Sequence, residues 1–186
     1  MKKAALFFAA AAWATGAYAQ QAPAPTVDLA GSIKAQHQSI RKYLVGAADK
    51  MPEADFHFKP QGTAPEVRTF GQIVAHLANA NYGLCAAAKG EKPPAVPLDD
   101  QKETKPKAEL VKALSDALTY CDGVYDSQTT ATLTEMMKRP GPNNTTLERA
   151  RGNALISNLS HNNEHYGNLV TYMRAKGLVP PSSSGS

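Results

Sequence analysis

The 186-residue sequence contains five histidines, and their positions are not equivalent. His161 and His165 stand four residues apart in a segment of helical period, so their rings leave one face a turn apart. Two imidazoles with that spacing can reach one divalent metal without distorting the backbone. At about 100° per residue, they share a stripe with Leu147, Ala154 and Tyr172, beside Leu155, Leu159, Val170 and Met173. Arg149, Asn153, Ser157, Ser160, Glu164 and Thr171 fall on the opposite side. The pair therefore faces the interior or its rim, where unpaired imidazoles are costly. His76 lies at the edge of an inward arc of Ile73, Leu77 and Ala80, with Gln72 and Asn79 outside it. Three inward histidines from two helices can supply one face of a metal site and leave positions for water or substrate. The alternative on spacing alone is three separate core histidines, each bonded to a carbonyl or hydroxyl. His37, among Gln36, Gln38 and Ser39, reads as part of a solvated face, and His57 as a loop residue. Glu164 points to the polar side, so direct ligation by it is not expected.

Other chemistries find no footing. The chain has neither a G-x-S-x-G elbow nor a Walker-type glycine loop. Cys85 and Cys121 are too far apart for a C-x-x-C redox pair. No run of Lys and Arg interleaves with aromatics, which argues against nucleic-acid binding.

The elements that must position the histidines are helices. Leu29, Ile33, Ile40, Leu44 and Ala47 mark a first helix from about Asp28 to Lys50, which Pro52 stops. An irregular connection through Pro60, Gly62 and Pro65 follows. The second helix opens on a capping box, Thr69 to Gln72, and runs to about Ala88 with Phe70, Ile73, Leu77, Ala80 and Leu84 inward. Pro106 begins a third, carrying Leu110, Leu114, Ala117, Leu118 and Val124 to about Asp126. A second capping box, Thr145 to Glu148, opens a fourth that reaches Lys176, with Gly177 ending it. The expected fold is all-α, a four-helix bundle over residues 28–178.

The chain ends read differently. Lys2 and Lys3, the apolar stretch Ala4–Ala14 and the small-x-small pattern Ala17-Tyr18-Ala19 predict a signal peptide over residues 1–19. Its apolar run is too short to span a bilayer. Residues 20–27 read as a flexible linker and 179–186 as a disordered tail. The expected location is periplasmic or secreted, with no membrane attachment after cleavage. Removing Lys2 and Lys3 takes the formal charge from +4 to about +2. In an oxidising compartment the even cysteine count suggests a Cys85–Cys121 disulfide, two buried thiols being the alternative.

Two segments carry a family resemblance. His161-Asn162-Asn163-Glu164-His165-Tyr166-Gly167-Asn168-Leu169 resembles the last-helix signature of the DinB-like (YfiT-type) metalloenzyme family. There an H-x-x-x-H pair precedes an Arg-Gly-Gln-like tripeptide, where this chain has Tyr166-Gly167-Asn168. Thr69-Phe70-Gly71-Gln72-Ile73-Val74-Ala75-His76 resembles the family's second-helix motif, which ends in the third ligand. The resemblance implies a DinB-like four-helix bundle. It also implies one divalent ion, Zn or Ni, held by His76, His161 and His165. The expected activity is that of a metal-dependent transferase or hydrolase acting on an unidentified small molecule, as a monomer or homodimer. Relatives of this kind include enzymes that use low-molecular-weight thiols, which an oxidising compartment disfavours. The alternative is a non-catalytic periplasmic metal-binding or stress-response module.

Overall fold

The computed structural model describes residues 27–95, 98–102 and 105–184. The expected signal peptide, and the linker apart from Val27, lie outside the described residues. Among the described residues five α-helices and one hairpin follow in order: α1 (Leu29–Lys50), α2 (Phe70–Lys89), α3 (Lys107–Asp126), α4 (Thr130–Thr134), β1 (Met136–Pro140), β2 (Thr146–Ala150) and α5 (Arg151–Ala175). The all-α bundle is as expected, with α1, α2, α3 and α5 as its long members. No described helix is long and apolar enough to cross a membrane.

The bundle is held by two apolar clusters. Leu44, Phe70, Leu77, Leu114, Leu118, Leu169 and Met173 fill one. The other gathers Ile33, Val124, Tyr125, Leu133 and Leu155 around the two cysteines. Each fully buried large side chain contributes about 1.5–3 kcal/mol, so these clusters dominate the stability. Cys85 on α2 and Cys121 on α3 form the disulfide, their Cα atoms 5.5 Å apart. Asp28 caps α1 at Gly31 N, and the Thr69–Gln72 capping box at α2 is present in both directions. Lys107, at the start of α3, donates to Asp49 O and Met51 O and so satisfies free carbonyls at the end of α1.

The buried faces follow the expected stripes with a few differences. On α1, Ile33, Ile40, Leu44 and Ala47 are buried as expected, but Leu29 is 52% exposed and Ala30 and His37 join the stripe. His37 is therefore core, not solvated: its spacing from Ile33 and Ile40 continues the stripe. On α2, Ala80 and Leu84 are only half-buried, while Ala78, Asn81 and Cys85 are fully inside.

The start of the last helix also differs. Thr145 and Glu148 form no capping box, because residues 146–150 are a strand paired antiparallel with β1, Glu148 opposite Lys138. Asn143 and Asn144 both adopt left-handed backbone angles, φ 53° and 58°. That turn lets Gly141 N donate to Thr145 O, and Thr145 Oγ1 donates to Pro142 O rather than to a helix end. Leu147 and Arg149 thus belong to the hairpin. Helix α5 begins at Arg151, whose guanidinium reaches Ala88 O and Glu135.

At the other end Gly177, at φ 72°, closes α5, and Leu178 N donates to Met173 O. Residues 179–184 are not a disordered tail. Pro180 is buried, Pro181–Ser183 form a short 3-10 turn, and Tyr166 Oη exchanges hydrogen bonds with Ser182. A Cβ at Gly46 would lie 3.1 Å from Pro181 Cγ, so the turn packs on α1 where only glycine fits easily.

Candidate metal centre

The capping box at Thr69 sets the phase of α2. With Ile73 and Leu77 in the core, Gln72, His76 and Asn79 form the adjoining stripe. That stripe holds residues 98–101. Gln72 Nε2 donates to Gln101 O at 2.6 Å and Asn79 Nδ2 to Leu98 O at 3.3 Å. Between them His76 Nδ1 meets Asp100 Oδ2 at 2.5 Å. A carboxylate only accepts, so Nδ1 carries the proton and Nε2 presents its lone pair inward.

Helix α5 supplies the other two rings. His161 Nε2 lies 3.0 Å from His76 Nε2. Ring centroids are 5.0 Å apart for His76 and His161, 4.8 Å for His76 and His165, and 4.5 Å for His161 and His165. One nitrogen from each falls within 4.8 Å of the others, and all three residues are half-buried. Nitrogens bound tetrahedrally to one zinc sit roughly 3.4 Å apart, so small side-chain rotations suffice. The structure thus brings together the three histidines singled out from the sequence. His57 is exposed and His37 lies elsewhere in the fold.

Electrostatics suits the donors to a cation. Burial lowers the pKa of His161, and charge on His76 would lower it further. His165 is lowered to about 4, by burial first and then by its two histidine neighbours. These rings are neutral near pH 7, the form in which imidazole binds metal. Two opposed lone pairs at 3.0 Å repel unless a proton or a cation lies between them. His161 Nδ1 is buried without a partner, so no hydrogen bond at that nitrogen orients the ring. Asn168 places its carboxamide 3.3 Å from His165 Nδ1. With its oxygen turned to the ring, it accepts Nδ1–H and leaves Nε2 free. The donor set therefore fits a divalent metal ion.

Tyr166, the departure from the family's tripeptide, faces the core and Ser182, away from the histidines. Glu164 is exposed and Asp100 is already engaged, so neither joins the cluster. Asp100 was not foreseen, because it sits in a segment with no periodicity. The buried carboxamides beneath the site were missed too. Asn158 and Asn162 on α5 both donate to Asn81 Oδ1 on α2, at 2.8 and 3.0 Å. Their four-residue spacing within the buried stripe was the available signal.

The fold agrees with the comparisons. The sequence profile of the DinB superfamily matches residues 36–169. A conserved protein from Enterococcus faecalis superposes with a TM-score of 0.61 at 13% identity, covering 80% of this chain and 97% of that one. A DinB-like protein from Bacillus cereus ATCC 10987 gives 0.59 at 19% identity, covering 81% and 91%. At these identities the likeness is one of fold. A search of curated proteins finds no sequence match. With a profile match over most of its length and the corresponding fold, the chain belongs to the DinB superfamily.

Proposed function

We propose that the protein is a metal-dependent enzyme of transferase or hydrolase type, with one Zn or Ni ion held by His76, His161 and His165. The observation that carries this reading is the convergence of three imidazole nitrogens within 4.8 Å. When bound, such an ion supplies Lewis acidity, activating a water or another nucleophile and polarising an electrophile. Asp100 fixes the tautomer and direction of His76, and Asn168 can do the same for His165. No further His, Cys, Asp or Glu joins the cluster among the described residues, which leaves a side open for substrate, as catalytic sites require. The disulfide supports a periplasmic or secreted location, where such bonds persist.

Elemental analysis of the gently purified protein tests the reading. We expect close to one equivalent of Zn or Ni per chain, lost in His165→Ala while the helical circular dichroism is kept. Tight stoichiometric binding surviving in that variant would remove the triad.

A further inference from the structure

We propose that the cleft lined by His165 takes a small substrate with one planar anionic group, which Arg68 binds. The inference rests on the metal-site reading above and names the substrate class for it. The cleft is about 240 Å³ and opens between the end of the α1–α2 connection and α5. Drug-sized ligands fill roughly 300–1,000 Å³, so this space suits a molecule of only a few carbons. Val67, Ile73 and Tyr172 form an apolar wall, and Glu66, Arg68, His165 and Asn168 form the polar part.

Arg68 is placed with care and left unused. Tyr172 Oη donates to its carbonyl at 2.8 Å, tying its backbone to α5. Its side chain makes one ionic contact, Nη2 to Asp100 Oδ2 at 3.6 Å, beyond hydrogen-bond length. That same oxygen already takes the proton of His76 Nδ1 at 2.5 Å. Arg68 Nε is buried without a partner, and no hydrogen bond leaves the guanidinium among the described residues. A guanidinium offers five donors in a planar fork matched to a carboxylate. With only the long contact to Asp100, most of those donors have no protein acceptor at this half-buried site, and an anion in the cleft would satisfy them.

The charge balance has the same sign. Asp100 is shared between His76 and Arg68, and Glu66, though it lines the cleft, is exposed and screened by water. A dication on the histidines leaves the cleft positive. One end of the substrate would thus lie at the metal, its short apolar part against Val67, Ile73 and Tyr172, and its anionic group on Arg68.

The test uses the cobalt-loaded protein and two hydroxamates, which bind metal through the same group. One is the monohydroxamate of succinate, which carries a free carboxylate, and the other is its neutral primary amide. Visible absorption of cobalt reports binding of each. We expect the wild type to prefer the acid by about tenfold, the effect of one charged hydrogen-bonded contact. Arg68→Gln should bring the ratio near one with the probe-free cobalt spectrum unchanged, and Arg68→Lys should keep part of the preference. Equal affinities in the wild type, or a preference that survives Arg68→Gln, would overturn the proposal. Failure of the wild type to take up cobalt would instead bring down the metal centre, and this inference with it.

Discussion

Asp100 shows how much of the site depends on a residue that touches no ligand position. Its hydrogen bond to His76 Nδ1 decides which ring nitrogen faces His161. Removing such a partner commonly weakens metal binding by about 10- to 100-fold. Asp100→Ala should therefore bind zinc that much more weakly in competition with a chelator, while one equivalent still binds at saturation. Affinity within about twofold of wild type would mean that packing, not the carboxylate, orients His76. A second expectation concerns pH in the metal-free protein. His161 and His165 are lowered from 6.5, His165 to about 4. Above the unfolded value both states are neutral and stability is complete. As pH falls below about 6.5 the unfolded chain takes up protons that the folded chain refuses, so the histidines' contribution to stability falls toward pH 4. His37 is lowered by burial, against the pull of Asp122, and adds in the same direction. Melting temperatures across that window should drop in the wild type and drop less in His165→Asn; parallel curves would refute the assignment. At this scale the three histidines were legible because helical phase marks an inward residue whatever its polarity. Asp100 and Arg68 were not, because loop residues have no phase to read.

Among the elements, the contact that matters most is α2 against α5, since it sets His76 opposite His161. Apolar packing leaves the sliding of two helices weakly specified, whereas a buried polar pair accepts one register. Asn81 Nδ2 donates to Leu77 O and to Asn162 Oδ1, and its Oδ1 accepts from both Asn158 and Asn162. Tyr125 Oη joins from α3, its one proton shared between Leu155 O and Asn158 Oδ1. All three asparagines are fully buried, so removing one strands its partners at about 1–3 kcal/mol each. Asn81→Ala should fall at the upper end of that range in urea unfolding and should also weaken metal affinity. Asn81→Ala with wild-type affinity and stability would show that the register is held elsewhere. The sequence misled most at the start of α5. Thr145 and Glu148 have the spacing of a cap, yet left-handed Asn143 and Asn144 reverse the chain into a hairpin. Local signals of a turn and of a cap coexist in those residues, and pairing with Met136–Pro140 decides between them. The capping box at Thr69 met no such competitor and was read correctly.

For the molecule as a whole, the connection between α2 and α3 carries Asp100 to the site, and the disulfide closes that connection. Cys85 and Cys121 are 36 residues apart, with segment 98–102 between them. In the chain-entropy account, closing a loop of that size stabilises the fold by about 4 kcal/mol, a large share of the roughly 5–15 kcal/mol that holds a domain. Both cysteines are fully buried beside Val124, Tyr125 and Leu155, so replacing them also leaves small voids. The double variant Cys85→Ala/Cys121→Ala should thus lose about 4 kcal/mol in denaturant unfolding, or slightly more. The site should respond differently. Gln72, His76 and Asn79 hold segment 98–102 directly, on a stripe independent of the sulfurs. While the variant remains folded, zinc should bind at one equivalent with affinity near that of the wild type. A large loss of affinity without unfolding would mean that the bridge, not the polar stripe of α2, delivers Asp100 to His76. Unchanged stability would mean that the unfolded chain is already restrained between α2 and α3.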